Sequence, residues 1–176
     1  MVLARHRTKK YFAATVFSLA ILTAACASTT TNEAQSGEPA AIAVPDFSST
    51  LIDGTPITLA ENIAQRPVAL WFWAPGCSTC NAEAKTIEAT AKKFAHDATV
   101  LGVAWNGTTQ AMSDFEVRHG LTLASVNDAD GKIFKQFGVP TQPAWVFIAQ
   151  DGSTTTRLGA IDEASLEAEL QKLSAS

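Results

Sequence analysis

The sequence predicts a layered α/β fold, because strand-like and helix-like segments alternate along most of the chain. Val68–Trp73 is an uninterrupted apolar run of strand length, typical of a strand that is buried on both faces of a sheet, and Thr99–Trp105 predicts a second buried strand. The segment between them is rich in Ala, Glu and Lys, which favours a helix. With 47% hydrophobic residues in a chain of 176, the protein can fill one core, and disorder is not expected to be its main state.

The first half of the predicted domain contains a hairpin, a central strand and a helix. Phe47–Ile52 and Ile57–Leu59 are short apolar segments on either side of Asp53–Gly54, a dipeptide that is typical of hairpin turns. Val68–Trp73 then predicts the first central strand. Residues 78–94 predict a long helix, because residues with high helix propensity dominate this segment.

The second half continues the alternation of strands and helices. Thr99–Trp105 predicts a second buried strand, and the helix after it has Met112 and Phe115 on one face and ends at Gly120. Asp162 is placed to cap the last helix. In chain order the remaining predictions are a helix over residues 108–119, a strand over 121–126, a short helix over 130–137, strands over 144–149 and 153–158, and a helix over 162–173.

The N-terminus has the pattern of an export signal. A basic stretch, Arg5–Lys10, precedes an uncharged run, Tyr11–Ala25, which at 15 residues is short for a membrane span of about 20 but typical of a signal peptide. The run ends in small residues before Cys26 and resembles the lipobox of bacterial lipoproteins, in which the cysteine is lipidated and becomes the new N-terminus. Lipoboxes usually have Leu where this sequence has Thr23, and cleavage after Ala27 is the alternative.

The segment after Cys26 predicts a tether to a membrane. Apart from Pro39, residues 27–40 contain no apolar side chain larger than alanine, so they cannot contribute to a core. A tether directly after the cysteine favours a lipid anchor on the outer face of the plasma membrane over simple secretion. The predicted organisation is a signal peptide over residues 1–26, a tether over 27–41 and a folded domain over 42–176.

The charge distribution disfavours nucleic-acid binding. Four of the 13 basic residues lie in the first ten positions, and all 17 acidic residues come after residue 32. The chain after Cys26 therefore carries 9 basic and 17 acidic residues, so it is acidic. Such a domain does not neutralise a phosphate backbone. No flavin, haem or nucleotide motif is present, so we expect no cofactor beyond a redox-active disulfide and expect electrons to be exchanged with a partner protein.

The chemistry is predicted to lie in the sequence WFWAPGCSTCNAE, where a strand ends, a Pro-Gly turn follows and Cys77 opens a helix. Residues three apart on a helix lie about 5 to 6 Å from each other, which suits a disulfide between Cys77 and Cys80. The helix N-terminus stabilises the thiolate of Cys77, which is the reactive form. Cys80, one turn further along, is placed to resolve a mixed disulfide that forms at Cys77.

Two other interpretations of this cysteine pair are weaker. A purely structural disulfide between Cys77 and Cys80 would close a very small loop, which stabilises by roughly 1.9 kcal/mol against about 3 kcal/mol for fifteen residues. A zinc site needs four ligands, whereas Cys26 lies in the signal region and His96 and His119 do not fit a ligand-spacing pattern. We therefore predict a reversible redox pair and no metal.

The sequence resembles thioredoxin-fold proteins in two correctly ordered segments. WFWAPGCSTC is similar to their active-site segment, and NDADGKIFKQFGVPTQPAWVFIAQDG is similar to the second half of extracytoplasmic proteins of the TlpA/ResA/DsbE kind. CNAEA after the motif and the VPxQPA segment are most similar to secreted DsbE- and DsbF-type proteins of high-GC Gram-positive bacteria. The resemblance covers most of residues 45–176 and implies a thioredoxin-like fold, with a central mixed sheet flanked by helices and an N-terminal β-hairpin extension.

The resemblance also implies a cis-proline opposite the cysteines. Pro140 and Pro143 compete for this position, and the spacing from Gly138 to the strand that begins at Ala144 selects Pro143. A cis bond there is expected to present the main chain of Gln142 to an extended substrate segment.

The remaining predicted site residues lie at positions where the sequence matches these families or differs from them. Proteins similar to ResA carry a buried glutamate at the position of Glu83, which could accept a proton from Cys80; a solvated helix glutamate is the alternative. The buried aspartate of thioredoxins is replaced by Trp71, and the tryptophan before their first cysteine by Gly76, which leaves the site more open. Gly76 and Trp73 are expected to line the substrate site, although packing also explains Trp73.

The function predicted from these residues is protein-disulfide exchange with exported cysteine-containing proteins, supported by a membrane redox partner protein. Oxidation during extracytoplasmic folding is favoured, and reduction in cytochrome c maturation is the alternative, since the Ser-Thr dipeptide between the cysteines leaves the direction of electron flow open. A non-enzymatic lipoprotein, either a metallochaperone or a docking module, is a second hypothesis. A peroxidase of the peroxiredoxin type fits least, because Cys77 is paired and lacks a Thr-x-x-Cys context.

Overall fold

A five-stranded mixed sheet forms the centre of the fold in a computed structural model that describes residues 44–175. These residues lie within one compact unit. The predicted signal peptide, the lipidation site Cys26 and the predicted tether lie outside the described residues. In chain order the elements are β1 (Ser48–Thr50), β2 (Pro56–Thr58), α1 (Leu59–Gln65), β3 (Val68–Trp73), α2 (Ser78–Lys93), β4 (Thr99–Ala104), α3 (Thr109–His119), β5 (Ser125–Asn127), α4 (Lys132–Gln136), β6 (Ala144–Ile148), β7 (Thr154–Leu158) and α5 (Glu163–Ser174).

The strand order in the central sheet is β5-β4-β3-β6-β7. Strands β3, β4 and β5 are parallel, whereas β6 runs antiparallel to β3 and β7 antiparallel to β6. The β1–β2 hairpin forms a separate antiparallel sheet and contacts the β5 edge, where the N–H of Ile52 donates to the carbonyl of Ser125 at 2.9 Å. The predicted mixed sheet, flanking helices and hairpin extension are therefore confirmed.

The two faces of the sheet carry separate apolar clusters because side chains alternate along β3. Trp71 and Trp73 pack on the face covered by α2, α3 and α5, and Leu70 and Phe72 pack on the opposite face, which α1 and α4 cover. All six residues of β3 are buried. This strand is thus fixed from both sides, and its C-terminal end leads directly to the predicted reactive cysteines.

Helix α1 was not predicted from the sequence. Leu59 looked like the end of a hairpin strand, but it is the first residue of α1 and is completely buried. Thr58 caps this helix, since its hydroxyl accepts a hydrogen bond from the N–H of Glu61 at 3.3 Å. A Thr followed three residues later by an acidic residue is a helix-start pattern, which the short apolar segment obscured.

The third predicted strand is shorter than expected, covering Ser125–Asn127. The backbone N–H groups of Thr122 and Leu123 donate to the carboxylate of Glu88, at 2.9 and 3.1 Å, instead of to a neighbouring strand. The Glu88 side chain on α2 therefore accepts the hydrogen bonds from backbone N–H groups that would pair with a neighbouring strand if β5 were longer.

The helix ends predicted at Gly120 and Asp162 are confirmed. Gly120 has a φ of 64°, a left-handed conformation that glycine adopts readily at a helix end. The carboxylate of Asp162 accepts a hydrogen bond from the N–H of Ser165 at 2.8 Å and caps α5. Within residues 44–175 no helix is both long enough and apolar enough to cross a membrane.

Candidate active site

The two cysteines lie where β3 gives way to α2. A turn follows β3, closed by a hydrogen bond from the N–H of Cys77 to the carbonyl of Ala74 at 3.1 Å, and Cys77 is the N-cap residue of α2. Its sulfur bonds to that of Cys80 in a disulfide with a Cα–Cα distance of 5.2 Å. The N–H of Cys80 also points at Cys77 Sγ, at 3.1 Å. The helix N-terminus therefore directs a hydrogen-bond donor at the first sulfur, as a thiolate there requires.

The two cysteines differ in their access to solvent. Cys77 is partly exposed, whereas Cys80 is completely buried in the core between α2 and the sheet. Gly76, Ser78 and Thr79, which surround Cys77 in the sequence, are exposed. A second protein can therefore reach the sulfur of Cys77 and not that of Cys80.

Gly76 leaves open space beside Cys77. A Cβ atom built on this residue meets no other heavy atom within 4 Å. A side chain could therefore fit at this position, and its absence leaves the approach to the disulfide free. The prediction of a more open site fits this geometry.

Pro143 lies beside the end of β3. The Gln142–Pro143 peptide bond is cis, as predicted, and the bond before Pro140 is not. Phe72 pairs with Ala144 across β3 and β6, so the next step in the register places Pro143 beside the last residue of β3. Pro143 itself is buried, whereas Gln142 is partly exposed, which leaves the backbone before the proline available for contact.

Glu83 is buried rather than solvated, so the alternative of an ordinary surface glutamate is wrong. It is 9% exposed, and its Oε1 accepts a hydrogen bond from the indole N–H of Trp71 at 3.0 Å. Burial raises the pKa of Glu83, and the hydrogen bond from Trp71 opposes this shift only in part. Trp71 thus supplies a hydrogen-bond donor to a carboxyl group one helical turn after Cys80.

The predicted substrate contact of Trp73 is corrected, because its side chain is completely buried. The ring stacks on Phe115 with a centroid separation of 4.2 Å and on Trp71 at 5.7 Å. Trp73 therefore belongs to the core beneath the active-site turn and does not face a substrate.

Sequence reasoning missed a polar cluster around Asn81. The side-chain amide of Asn81 donates to the carbonyls of Pro75, at 3.2 Å, and Cys77, at 2.8 Å. Its oxygen contacts Arg118 at 3.3 Å and His119 Nε2 at 2.9 Å, both on α3. Burial and the charges of Arg118 and a nearby lysine lower the pKa of His119, so that its ring is mostly neutral at pH 7. The four-residue spacing from Cys77 to Asn81 is the one signal that the sequence offered.

A second missed contact involves Gly107, in the loop after β4. A Cβ atom on this residue would lie 2.9 Å from Cγ of Pro75, in the active-site turn. The preceding Asn106 has a φ of 53°, and the bend at Asn106 and Gly107 brings the backbone against the proline ring. No group of three or more His, Cys, Asp or Glu side chains in the described part of the chain is arranged to hold a metal ion.

This fold, with a Cys-x-x-Cys disulfide at the start of the helix that follows the central strand, defines a thioredoxin-fold thiol–disulfide oxidoreductase. The chain belongs to the AhpC/TSA family, which residues 41–156 match. It is 38% identical over 121 residues to the soluble secreted antigen MPT53 of Mycobacterium tuberculosis, a match that covers 66% of this chain and 68% of that protein.

Two solved structures support the same class. The chain is similar to MTB DsbF, solved in mixed oxidised and reduced forms, with a TM-score of 0.69, 30% identity, and coverage of 72% of this chain and 94% of that one. It is also similar to a secreted Mycobacterium tuberculosis disulfide oxidoreductase homologous to E. coli DsbE, with a TM-score of 0.67, 34% identity, and coverage of 72% and 96%. The predicted thioredoxin-like fold is therefore confirmed. Proteins of this class use a redox-active disulfide as their redox group.

Proposed function

We propose that this protein exchanges disulfides with exported cysteine-containing proteins on the extracytoplasmic side of the plasma membrane, and that Cys77 is the residue that reacts with them. The observation that carries the proposal is the difference in access between the partly exposed Cys77 and the fully buried Cys80. Two of the relatives are named as secreted proteins, which supports the location.

In the oxidising direction the exchange has two steps. A substrate thiolate attacks Cys77 Sγ, the Cys77–Cys80 bond breaks, and Cys80 leaves as a thiolate that takes up a proton. A second substrate thiolate then attacks the substrate sulfur of the mixed disulfide, which forms the substrate disulfide and releases Cys77 as a thiolate. Two electrons pass from the substrate to the protein, and a membrane redox partner protein with its own disulfide would remove them. The reducing direction is the reverse sequence.

Glu83 is proposed to handle the proton at Cys80. Its carboxyl group is buried on the same helix face one turn further on, and the raised pKa lets it hold a proton closer to neutral pH than a solvated glutamate can. When Cys80 leaves as a thiolate, such a group can supply its proton, and when Cys80 attacks, the same group can receive it.

An extended substrate segment is proposed to lie along Gln142 and Pro143 beside Cys77. Leu158 extends this surface, since it pairs with Ala144 and the N–H of Gly159 donates to the carbonyl of Pro143 at 2.9 Å. Leu158 is 58% exposed, which is unusual for a large apolar side chain. An apolar side chain of the substrate, close to its reactive cysteine, could cover Leu158. Gly76 leaves room for the backbone of the same substrate segment.

We favour the oxidising direction, because the helix N-terminus and the Cys80 N–H stabilise a thiolate at Cys77 and hence the reduced form of the pair. Reduction for cytochrome c maturation and a non-enzymatic docking or metallochaperone role are the alternatives. A reduction potential near or below that of thioredoxin, measured against glutathione, would exclude the oxidase. Exchange activity in Cys77→Ser equal to that of the wild-type protein would favour the non-enzymatic role.

Trapping of substrates tests the proposal directly. Cys80→Ser removes the resolving thiol, so the Cys77 thiolate should attack disulfides of exported proteins, releasing one substrate sulfur as a thiolate, and hold those proteins as mixed disulfides that a reductant releases. Cys77→Ser, with the buried Cys80 intact, should trap none. Equal trapping by both variants would contradict the assignment of Cys77 as the exposed reactive residue.

The membrane anchor at Cys26 is a further part of the proposal. A diacylated cysteine carries two lipid chains, which is enough for stable anchoring. Metabolic labelling with a radioactive fatty acid should label the wild-type protein and not Cys26→Ala. A protein found unlabelled in the culture medium would instead indicate cleavage after Ala27.

A further inference from the structure

We propose that Asn81 is a positioning residue for disulfide exchange, which fixes the turn before Cys77 and thereby shifts the redox equilibrium of the cysteine pair towards the dithiol. Arg118 and His119, on a different helix, hold Asn81 in the required orientation. The inference rests on the proposed role of Cys77 as the reactive residue.

The side chain of Asn81 bonds two carbonyls of the active-site turn. Its amide donates to the carbonyl of Pro75 and to that of Cys77, the N-cap residue of α2. The backbone N–H of Asn81 also donates to Cys77 O, at 3.0 Å. Both carbonyls therefore have donors from one residue, and the exposed Gly76 between them is held at each side.

The orientation of the Asn81 amide follows from its partners. Carbonyl oxygens only accept hydrogen bonds, so the NH₂ group of Asn81 must face the turn and its oxygen must face α3. Arg118 donates to that oxygen at 3.3 Å, and the Nε2 of His119, at 2.9 Å, must also donate. The Asn81 side chain thus fixes the tautomer of the neutral His119 ring, with the hydrogen on Nε2.

The ring of His119 is itself fixed to the strand that carries the turn. It packs on Phe115 with a centroid separation of 4.5 Å, and Phe115 stacks on Trp73, the last residue of β3. The turn is therefore connected to α3 twice, through the buried rings at the end of β3 and through Asn81 at the start of α2.

This fixed turn bears on the redox equilibrium because of where it places Cys77. The disulfide sulfur of Cys77 already faces the N–H of Cys80 at 3.1 Å, and the same N–H can donate to the thiolate after reduction. Stabilisation of that thiolate favours the dithiol and makes the disulfide more oxidising. Without the Asn81 side chain the turn and the first helical turn gain freedom, and the alignment of this donor weakens.

A general helix-end role for an asparagine is the competing explanation, and the chain contains a matched control for it. Asn62 occupies the same place in α1, four residues after the N-cap Thr58, and its amide donates to the Thr58 carbonyl at 2.9 Å. This second asparagine has no cysteine beside it. Removal of either side chain removes a hydrogen bond to an N-cap carbonyl, but only Asn81 is expected to affect the redox pair.

The experiment measures the equilibrium constant between the purified protein and a glutathione redox buffer, together with the thiolate absorbance of Cys77 as a function of pH. Asn81→Ala is expected to shift the equilibrium about tenfold towards the disulfide, which is about 30 mV for a two-electron couple. The pKa of the Cys77 thiol should rise in the same variant. Asn62→Ala should leave both quantities within about twofold of the wild-type protein.

His119→Phe keeps an aromatic ring on Phe115 but removes the donor to Asn81, and it should shift the equilibrium in the same direction by a smaller factor. If Asn81→Ala does not fold, the redox equilibrium of His119→Phe tests the inference in its place. Wild-type equilibria in all folded Asn81 and His119 variants would overturn the inference. Because glutathione replaces the substrate protein here, this outcome is distinct from a failure to trap exported substrates with Cys80→Ser.

Discussion

Trp71 and Glu83 form a buried hydrogen bond beneath the disulfide, from the indole N–H to the carboxyl Oε1 at 3.0 Å. Trp71 lies in the middle of β3 and is completely buried, while Glu83 comes from α2. The bond joins the strand that leads to Cys77 with the helix that carries Cys80. It provides a donor to a carboxyl group that has little contact with water.

The first prediction concerns the pH dependence of stability caused by Glu83. Its folded-state pKa is raised by burial, so the folded protein holds a proton that the unfolded chain releases. At pH values below its pKa in the unfolded chain, about 4.3, Glu83 is protonated in both states. Its burial therefore does not lower the free energy of unfolding there. Between that pH and the raised folded-state pKa, the free energy of unfolding falls as the pH rises, by at most about 1.4 kcal/mol per pH unit.

Glu83→Gln removes this titration and keeps a hydrogen-bond acceptor for Trp71. Relative to the wild-type protein, the variant should gain stability as the pH rises from about 4.3 to the raised folded-state pKa of Glu83 and should show no further gain above it, as measured by denaturant unfolding at a series of pH values. A difference in unfolding free energy that does not change with pH would show that Glu83 titrates in the folded state as it does in water.

The second prediction is the opposite behaviour of Glu88, five residues further along α2. Burial acts to raise the pKa of Glu88, but hydrogen bonds from Lys92, Thr122 and Leu123 together lower it. Its charged form therefore adds stability above the unfolded pKa, and this contribution is lost as the pH falls through the folded pKa. Glu88→Gln should destabilise the protein by about 1 to 3 kcal/mol at pH 7, because partners of the charged group lose their bonds.

The destabilisation by Glu88→Gln should shrink as the pH falls below about 4.3, the reverse of the trend for Glu83→Gln. The two variants serve as controls for each other, since both remove a buried glutamate from one helix. The same sign of pH dependence in both would be inconsistent with the hydrogen bonds that surround them.

The parts of the site that sequence reasoning predicted depend on local spacing. Cys77 at a helix start, the distance from Cys77 to Cys80, and the position of Pro143 directly before a strand are set by residues close together in the chain. The helix caps at Asp162 and Gly120 are local for the same reason. Local sequence preferences agree with the final fold at each of these positions.

The parts that it missed depend on contacts between distant segments. Asn81 and His119 are 38 residues apart, and their contact requires α2 and α3 to pack in one particular way. The burial of Glu83, which the sequence left open against a solvated position, likewise depends on Trp71 across the interface with the sheet. The place of Trp73 near the motif predicts a substrate contact, but the two-residue period of β3 puts this side chain on the same buried face as Trp71.

The third prediction concerns the close approach of Gly107 to the active-site turn. A methyl group on Gly107 would lie 2.9 Å from Pro75 Cγ and 3.2 Å from its Cδ, and a proline ring cannot rotate away. Gly107→Ala should therefore displace the turn, destabilise the protein by about 1 to 3 kcal/mol and slow disulfide exchange. Gly76→Ala is the matched control on the same turn, because its methyl group meets no neighbour within 4 Å.

Thermal or denaturant unfolding and an insulin-reduction assay measure the two effects of Gly107→Ala. Gly76→Ala is expected to leave the unfolding free energy within about 0.5 kcal/mol of the wild-type value. If Gly107→Ala retains both wild-type stability and wild-type exchange rate, the turn is free to move and Pro75 is not held by the loop after β4.

The fourth prediction tests the apolar surface beside Pro143. Leu158 is exposed, lies opposite Ala144 in the sheet, and precedes the residue whose N–H binds the Pro143 carbonyl. If a substrate segment covers this side chain, Leu158→Ala removes apolar contact area that is worth about 1 to 2 kcal/mol when fully buried. The KM for oxidation of a reduced cysteine peptide should then rise by about five- to tenfold, with a smaller change in kcat.

Thr154 provides the control for Leu158, because it is an exposed residue of the same strand that pairs with Ile148 at the opposite end of β6. Thr154→Ala should have the KM of the wild-type protein. Equal KM values for Leu158→Ala and Thr154→Ala would show that substrates do not reach this end of β7, and binding would then depend on Gln142 and the turn before Cys77 alone.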